Sequence, residues 1–410
     1  MIKNILSTLV LLILIFGDLR AQSLDIYIQS AIKNSPLLYD YNNQMLAGSL
    51  DSLLLLATLK PHVSQLTQVI YPPTGPGWGY DEAITNGGNY SAVVNVTQSL
   101  FNKKQINGQL QAIDLLNQTL KINQKITVID LKKSITAQYL TTYTDFTQYN
   151  FNQSVLERLS NEQKTVKMLV DKGVYLMTDF MNLQMMITAQ KISITQSFIQ
   201  LKNDLALLNF ICGVSDQPEI NLIKPEITVL NDFNPESSPL VAQFKIDSIK
   251  NMNSRLLIDM NYRPRFSIFA DAGFNSIAPE NVPHNLGASI GVNFSLPIYD
   301  GKQRKLQYDK IDLAANTLTY YKKYHSSQYK LQFDQLTNQL KLTENLINEI
   351  GNQLLEQERL IDLYRIEIEK GLVRFLDFIT VLNNYTLTKN TFLVTEMNRM
   401  QIINQLNYLK

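Results

Sequence analysis

Cysteine is almost absent from this 410-residue chain. The lone Cys212 excludes an internal disulfide framework and a thiolate-rich zinc site. Histidine is equally scarce: His62, His284 and His325 lie far apart in sequence and leave little for imidazole chemistry or metal ligation. An excess of either charge is missing too. Lys plus Arg number 37 against 36 Asp plus Glu, so there is no global basic field to hold nucleic acid. Catalytic signatures are also lacking, with no nucleophile-elbow motif and no metal-spaced cluster. Gly75-Pro76-Gly77-Trp78-Gly79 is no phosphate loop, because no Lys-Ser/Thr follows it. These absences argue against an enzyme and against a cofactor. What is present is 45% hydrophobic residues, too apolar for disorder and too polar for a bundle of membrane-spanning helices.

Residues 1–21 read as a secretory signal peptide. Lys3 supplies the positive start, Ile5 to Phe16 the apolar stretch, and Ala21 the cleavage site. As a membrane anchor the stretch is shorter than the ~20 residues a spanning helix needs. No later apolar run is long enough to span either. An exported chain of this kind is periplasmic, secreted, or inserted as a β-barrel.

The remainder is written twice. Ser35-Pro36-Leu37 recurs as Ser238-Pro239-Leu240, and Pro61 recurs as Pro264, both at an offset of 203. Lys104-Gln105 recurs as Lys302-Gln303 at an offset of 198. At that same offset, Lys172-Gly173 with Asp179-Phe180 recurs as Lys370-Gly371 with Asp377-Phe378. One loop insertion around Tyr71–Gly79 explains the slip. The expected organisation is a first repeat over 22–213, a connector over 214–237 and a second repeat over 238–410. Each repeat opens with a helix. A β-hairpin follows, about 61–101 in the first and 264–299 in the second. A long helical hairpin comes last, about 102–212 and 302–408.

The hairpins alternate with period two. Leu286, Ala288, Ile290, Val292, Phe294, Leu296 and Ile298 fall on one face, with Gly287, Ser289, Gly291, Asn293 and Ser295 on the other. Phe266, Ile268, Ala270, Ala272 and Phe274 alternate in the same way. Ala92, Val94 and Val96 do so less regularly, and Gln98 interrupts them. A half-buried sheet in a soluble domain gives the same alternation. Strand length and the aromatics near the ends (Tyr71, Phe101, Phe266, Phe274, Tyr299) favour a lipid-facing wall. Four strands cannot close a barrel, since the smallest have ~8, and an open edge is forbidden in hydrocarbon. Lipid-facing strands would therefore require several chains, three of them giving about 12 strands and a water-filled lumen.

No proline occurs between Asn102 and Asp171 or between Lys302 and Lys370, and only Gly108 and Gly351 interrupt the helix formers. Helices of this length would extend on the order of 100 Å. Leu306, Leu313 and Tyr320 are spaced by seven, a patchy coiled-coil seam. Gly173 and Gly371 suit helix ends, and return helices begin close after them. Asp179 and Asp377 then have two readings: acidic residues that complement a helix start, or functional carboxylates at a tip.

In the order and duplication of these motifs the chain resembles the TolC-type outer-membrane efflux proteins over essentially its whole mature length. The Ser-Pro-Leu starts, the Pro61 and Pro264 strand entries, the exits Ser99-Leu100-Phe101-Asn102 and Leu296-Pro297-Ile298-Tyr299-Asp300-Gly301, and the Lys-Gly-x5-Asp-Phe tips carry the resemblance. It implies a mainly α protein with membrane β-structure: a homotrimer whose four strands per chain build a 12-stranded β-barrel, continued by a long periplasmic α-helical barrel. It also implies an exit channel in outer-membrane lipid. That channel would dock with a periplasmic membrane-fusion adaptor and an inner-membrane pump of the RND or ABC type, in efflux or type I secretion.

By the same match Lys172, Gly173, Lys370 and Gly371 are adaptor-contact tips. Asp377, with Asp179, lies at the pore entrance. Where some members carry a second aspartate this chain has Thr380. Where the best-known members carry a locking arginine it has Val373, with Arg374 one position later as the tip-gate candidate facing Asp179. The competing reading is a periplasmic or surface coiled-coil structural or adaptor protein. It accounts for the long helices but not for two symmetric amphipathic hairpins.

Overall fold

The computed structural model describes residues 23–73, 75–80, 88–100, 103–215, 220–230 and 234–409. The signal-peptide segment 1–21, the strand exit Phe101-Asn102 and Pro218 of the connector lie outside the described residues. Chain order is α1 (Leu24–Asn34), α2 (Pro36–Ala57), β1 (His62–Ile70), β2 (Asn89–Leu100), α3 (Lys103–Asp171) and α4 (Met177–Cys212). It continues with α5 (Pro239–Asn261), β3 (Arg265–Ser276), β4 (Leu286–Ser295), α6 (Gln303–Glu369) and α7 (Phe375–Asn407). The order helix, strand, strand, helix, helix thus occurs twice. Among the described residues no helix is long and apolar enough to cross a membrane.

The repeated Ser-Pro pairs start helices for a local reason. The Ser238 hydroxyl accepts from the Leu240 amide at 3.2 Å, and Pro239 enters the first turn, where its missing N–H leaves no bond unmade. The Ser35 hydroxyl accepts from the Leu38 N–H at 3.4 Å at the start of α2. Pro61 and Pro264 sit immediately before β1 and β3. With no internal proline, α3 runs 69 residues and α6 runs 67.

Two compact units emerge, and each draws on both halves of the sequence. Among the described residues, the first comprises those up to Leu38, those within Lys125–Pro235 and those from Ser326 onward, the second those within Tyr39–Gln124 and Glu236–His325.

The second unit holds one antiparallel sheet in the order β1-β2-β3-β4. From β2 to β4 its register aligns the apolar positions. Val96 faces Ala270, Val94 faces Ala272, Ile268 faces Val292, and Phe266 faces Phe294 with ring centroids 4.9 Å apart. β1 is more mixed: Val63 faces Val96, but Gln65 faces Val94. Ser64, Asn95, Asp271 and Ser289 fall on the opposite face, where Ser289 donates to the Asp271 carboxylate at 2.6 Å. Phe269 is apolar on that polar face. Its ring lies over Gly291, its register partner, where any Cβ would collide with it. Gln98 sits on the apolar face because its amide donates to the Leu59 carbonyl, at 2.5 Å, just past the end of α2. β4 stops at Ser295, short of the alternation that runs on through Ile298. Pro297 has no N–H to give a ladder and restricts Leu296 before it. The outer strands β1 and β4 each pair on one side only.

The first unit is helical. Leu159 and Val166 of α3, Leu183 of α4, Leu354 and Ile361 of α6, and Phe378 and Leu382 of α7 share one buried cluster. A second cluster joins Tyr27 of α1, Tyr139 of α3 and Leu208 of α4 with Leu222 of the connector. The next carbonyl of the connector, that of Ile223, accepts from the Tyr139 hydroxyl at 2.7 Å. The connector is further tied to α7, where the Asn407 amide group bonds both the Thr228 carbonyl and the Leu230 N–H at 2.8 Å.

Candidate tip and pore-entrance site

The site residues expected from sequence gather where α3 turns into α4 and α6 turns into α7. Both turns are built the same way. Gly173 has φ 75° and Gly371 φ 70°, the left-handed region where a side chain is strained. After α3, Gly173 N–H donates to the Val170 carbonyl and Val174 N–H to the Leu169 carbonyl, both at 2.9 Å. After α6, Gly371 N–H donates to the Ile368 carbonyl at 2.9 Å and Leu372 N–H to that of Glu367 at 3.0 Å. Each is the paired closure that satisfies the last carbonyls of a helix and reverses the chain.

The two turns meet. A Cβ on Gly371 would lie 2.7 Å from the Val174 Cγ1, whereas around Gly173 there is open space. The Tyr175 hydroxyl donates to the Val373 carbonyl at 2.8 Å, and the Tyr175 and Phe375 rings stand 6.4 Å apart. Burial, with the nearby Asp179 carboxylate adding to it, raises the Tyr175 phenol above its ordinary pKa, so it remains a donor at neutral pH.

Asp179 and Asp377 each occupy the third position of the following helix, in the first turn of α4 and α7. Their carboxylates have different partners. Asp179 accepts from the Leu176 backbone N–H at 3.1 Å, the reciprocal half of a capping box. Asp377 is held by Arg374 through two hydrogen bonds, from Nε at 3.1 Å and Nη2 at 3.0 Å. Within this chain the tip-gate candidate Arg374 thus pairs with Asp377, while Asp179 is engaged by the Leu176 backbone. The cause is local: Arg374 is the residue that precedes α7, three before Asp377, and its fork reaches that carboxylate directly. The position equivalent to Arg374 in the first half of the sequence is Leu176, which offers only its backbone. The Arg374 side chain is 83% exposed and that of Asp377 37%, so the pair is accessible to water and partners.

Lys172 and Lys370, the residues before the two glycines, are exposed. Sequence reasoning missed the apolar side chains beside them. Leu176, Met177, Leu372 and Leu376 are all exposed at the tips, as are Met181 and Met185 further along α4. Their signal was the clustering of large apolar residues beside a helix-ending glycine. Tyr175 was missed as well, although the 198-residue offset places it and Val373 at equivalent positions. Among the described residues there is no group of three or more His, Cys, Asp or Glu that could hold a metal ion.

Two carboxylates lie deeper between α3 and α4. Asp145 and Asp204 interact directly, and one Asp145 oxygen is buried without a hydrogen-bond donor. Burial, then the Asp204 carboxylate, pushes Asp145 up to about 7. Burial also pulls Asp204 upward, but hydrogen bonds from Asp145, Gln200 and Gln138 outweigh it, and its carboxyl titrates below the usual range. Two facing acceptors are satisfied when they share one proton.

No protein-family profile and no curated protein matches the sequence. Solved structures do match its fold. A structure of CusC, described for the conformational changes accompanying folding and transmembrane channel formation, aligns over 94% of this chain and 91% of that one, with TM-score 0.75 and 11% identity. The CmeC outer membrane channel of Campylobacter jejuni covers the same 94% and 85% of its own chain, at TM-score 0.71 and 11% identity. The open state of the MtrE outer membrane channel of Neisseria gonorrhoeae gives 94% and 88%, at TM-score 0.73 and 10% identity. At these identities the likeness establishes the fold.

Proposed function

We propose that this chain, which has the fold of the TolC-type outer-membrane channels, is the outer-membrane exit channel of a tripartite export system. The observation that carries the reading is the sheet. Its apolar face is nearly continuous from β2 to β4, and among the described residues neither edge strand has an outer partner. Unpaired edges cannot persist in hydrocarbon, so a sheet of this kind in lipid closes with other copies of itself. Three chains would give about 12 strands, with the Ser, Asn and Asp face lining a polar lumen. Exposed Leu306, Leu313 and Tyr320 along α6 supply an apolar seam for a neighbouring copy.

In this reading the chain is exported by its signal peptide, and the helices form the periplasmic barrel. The tips, with Lys172, Gly173, Lys370, Gly371 and their exposed leucines, receive a periplasmic membrane-fusion adaptor. An inner-membrane pump of the RND or ABC type delivers the cargo, in efflux or type I secretion. Three Asp377 carboxylates converge at the entrance, with Asp179 nearby, and favour cations by focused Coulomb attraction. Arg374 sets how much of that charge is expressed. No catalytic step is proposed.

The test is conductance. Purified protein added to a planar bilayer should give discrete cation-preferring channels. A protein that folds and is extracted from outer membranes, yet never conducts in any state of its tips, would contradict the channel reading.

A further inference from the structure

Basic residues are distributed around the sheet in an uneven way. Between Lys60 and Lys103 the chain has no Lys or Arg, and none between Arg265 and Lys302. Those two stretches contain all four strands, save that Arg265 is itself the first residue of β3. Basic side chains return at once on leaving them. Lys60 precedes β1, Lys103 and Lys104 follow β2, Arg263 and Arg265 open β3, and Lys302, Arg304 and Lys305 follow β4. The register puts these positions at one end of the sheet, since His62 faces Thr97, Leu100 faces Phe266 and Arg265 faces Ser295. All of these basic residues are exposed.

Acidic groups do not cancel this rim. Asp300 is engaged in starting α6, accepting from the Lys302 and Arg304 amides at 2.9 and 2.7 Å. Asp259 is held by Arg304. These two carboxylates are outnumbered by the basic side chains around them, so the rim is net cationic. The opposite end of the sheet has no basic counterpart. Its described hairpin residues carry Glu280 and His284 but neither Lys nor Arg.

A second gradient runs in the same direction. Leaving β4, the chain passes from Phe294 to Ile298, 94% exposed, then to Tyr299, 85% exposed, and then to Lys302 and Lys305. Apolar, aromatic, cationic is the order in which a bilayer presents hydrocarbon, interface and phosphate.

We propose that this rim binds the headgroups of anionic phospholipids in the leaflet at the helix-bearing end of the sheet. The inference rests on the reading that the strands lie in a membrane. Each basic side chain near an anionic surface favours it by on the order of fivefold at low salt, falling as salt screens it. The rim would anchor the sheet at a fixed depth and give it a preferred orientation, because only one end is cationic.

The test uses the full-length protein reconstituted with spin-labelled phosphatidylglycerol or phosphatidylcholine, reading the motionally restricted fraction of each lipid. The expected result is a severalfold preference for phosphatidylglycerol that shrinks at about 1 M salt, where screening sets in within ~3 Å. The Lys60→Gln, Lys103→Gln, Lys302→Gln, Lys305→Gln variant should lose the preference while still restricting phosphatidylcholine. If that variant does not fold, the salt titration of the unaltered protein decides alone. Equal restriction of both lipids at low salt would overturn the rim and leave the membrane reading standing. Full displacement of the preference by inorganic phosphate at low millimolar levels would overturn it as well, marking a free-anion site. No restricted lipid of either kind would overturn the membrane reading itself.

Discussion

The Tyr175 hydroxyl donates to the Val373 carbonyl at 2.8 Å, joining two residues that stand at equivalent positions in the duplicated sequence. This bond crosses between the two helix-ending turns, so it fixes one tip against the other. Tyr175→Phe removes the donor and leaves the carbonyl without its partner, a loss of about 1 kcal/mol. Hydrogen exchange at the amides of residues 371–376 should quicken severalfold, while exchange in the sheet stays unchanged.

The glycines at the turns should not be equally sensitive. Both are left-handed, so Ala at either position costs about 1 kcal/mol. Gly371→Ala also drives a methyl against Val174, whereas the space around Gly173 is open. Gly371→Ala should therefore lower the thermal midpoint more than Gly173→Ala. Paired melts of the two variants check this.

Arg374 and Asp377 should act in opposition on ion selectivity. Asp377→Asn should lower cation preference and divalent block in planar bilayers. Arg374→Gln should raise both, because it removes the guanidinium that now occupies the carboxylate. Unchanged selectivity in both variants would remove Asp377 from the entrance.

Stability should fall as pH rises through neutrality. Asp145 holds its proton to about 7 in the folded chain and to about 4 when unfolded. Between those values the folded state binds the extra proton, so the stabilisation is full below about 4 and is lost as pH passes through 7. Denaturant midpoints at about pH 5.5 and 8 should differ, with the lower pH more stable. Asp145→Asn should flatten that difference.

Much of this architecture is legible in the sequence because its causes are local. The proline-free runs dictate α3 and α6, and period-two alternation sets the faces of β3 and β4. The repeated Lys-Gly pairs mark the turns. What was hidden depends on helix packing, on side-chain geometry at a helix start, or on a single proline. Pro297 ends β4 at Ser295 although the apolar alternation continues. Arg374 lies beside Asp377 in sequence, yet only the geometry at the start of α7 shows that this pair forms. Asp145 and Asp204 read as ordinary acidic residues on long polar helices, and only the packing of α3 on α4 brings them together.

The central claim is that the four strands close with those of other copies in a membrane. The most direct measurement is the mass of the protein extracted by detergent from outer-membrane fractions, by light scattering corrected for bound detergent. The account predicts a particle of three chains. A water-soluble monomer, stable without detergent, would contradict it and return the long helices to a periplasmic structural role.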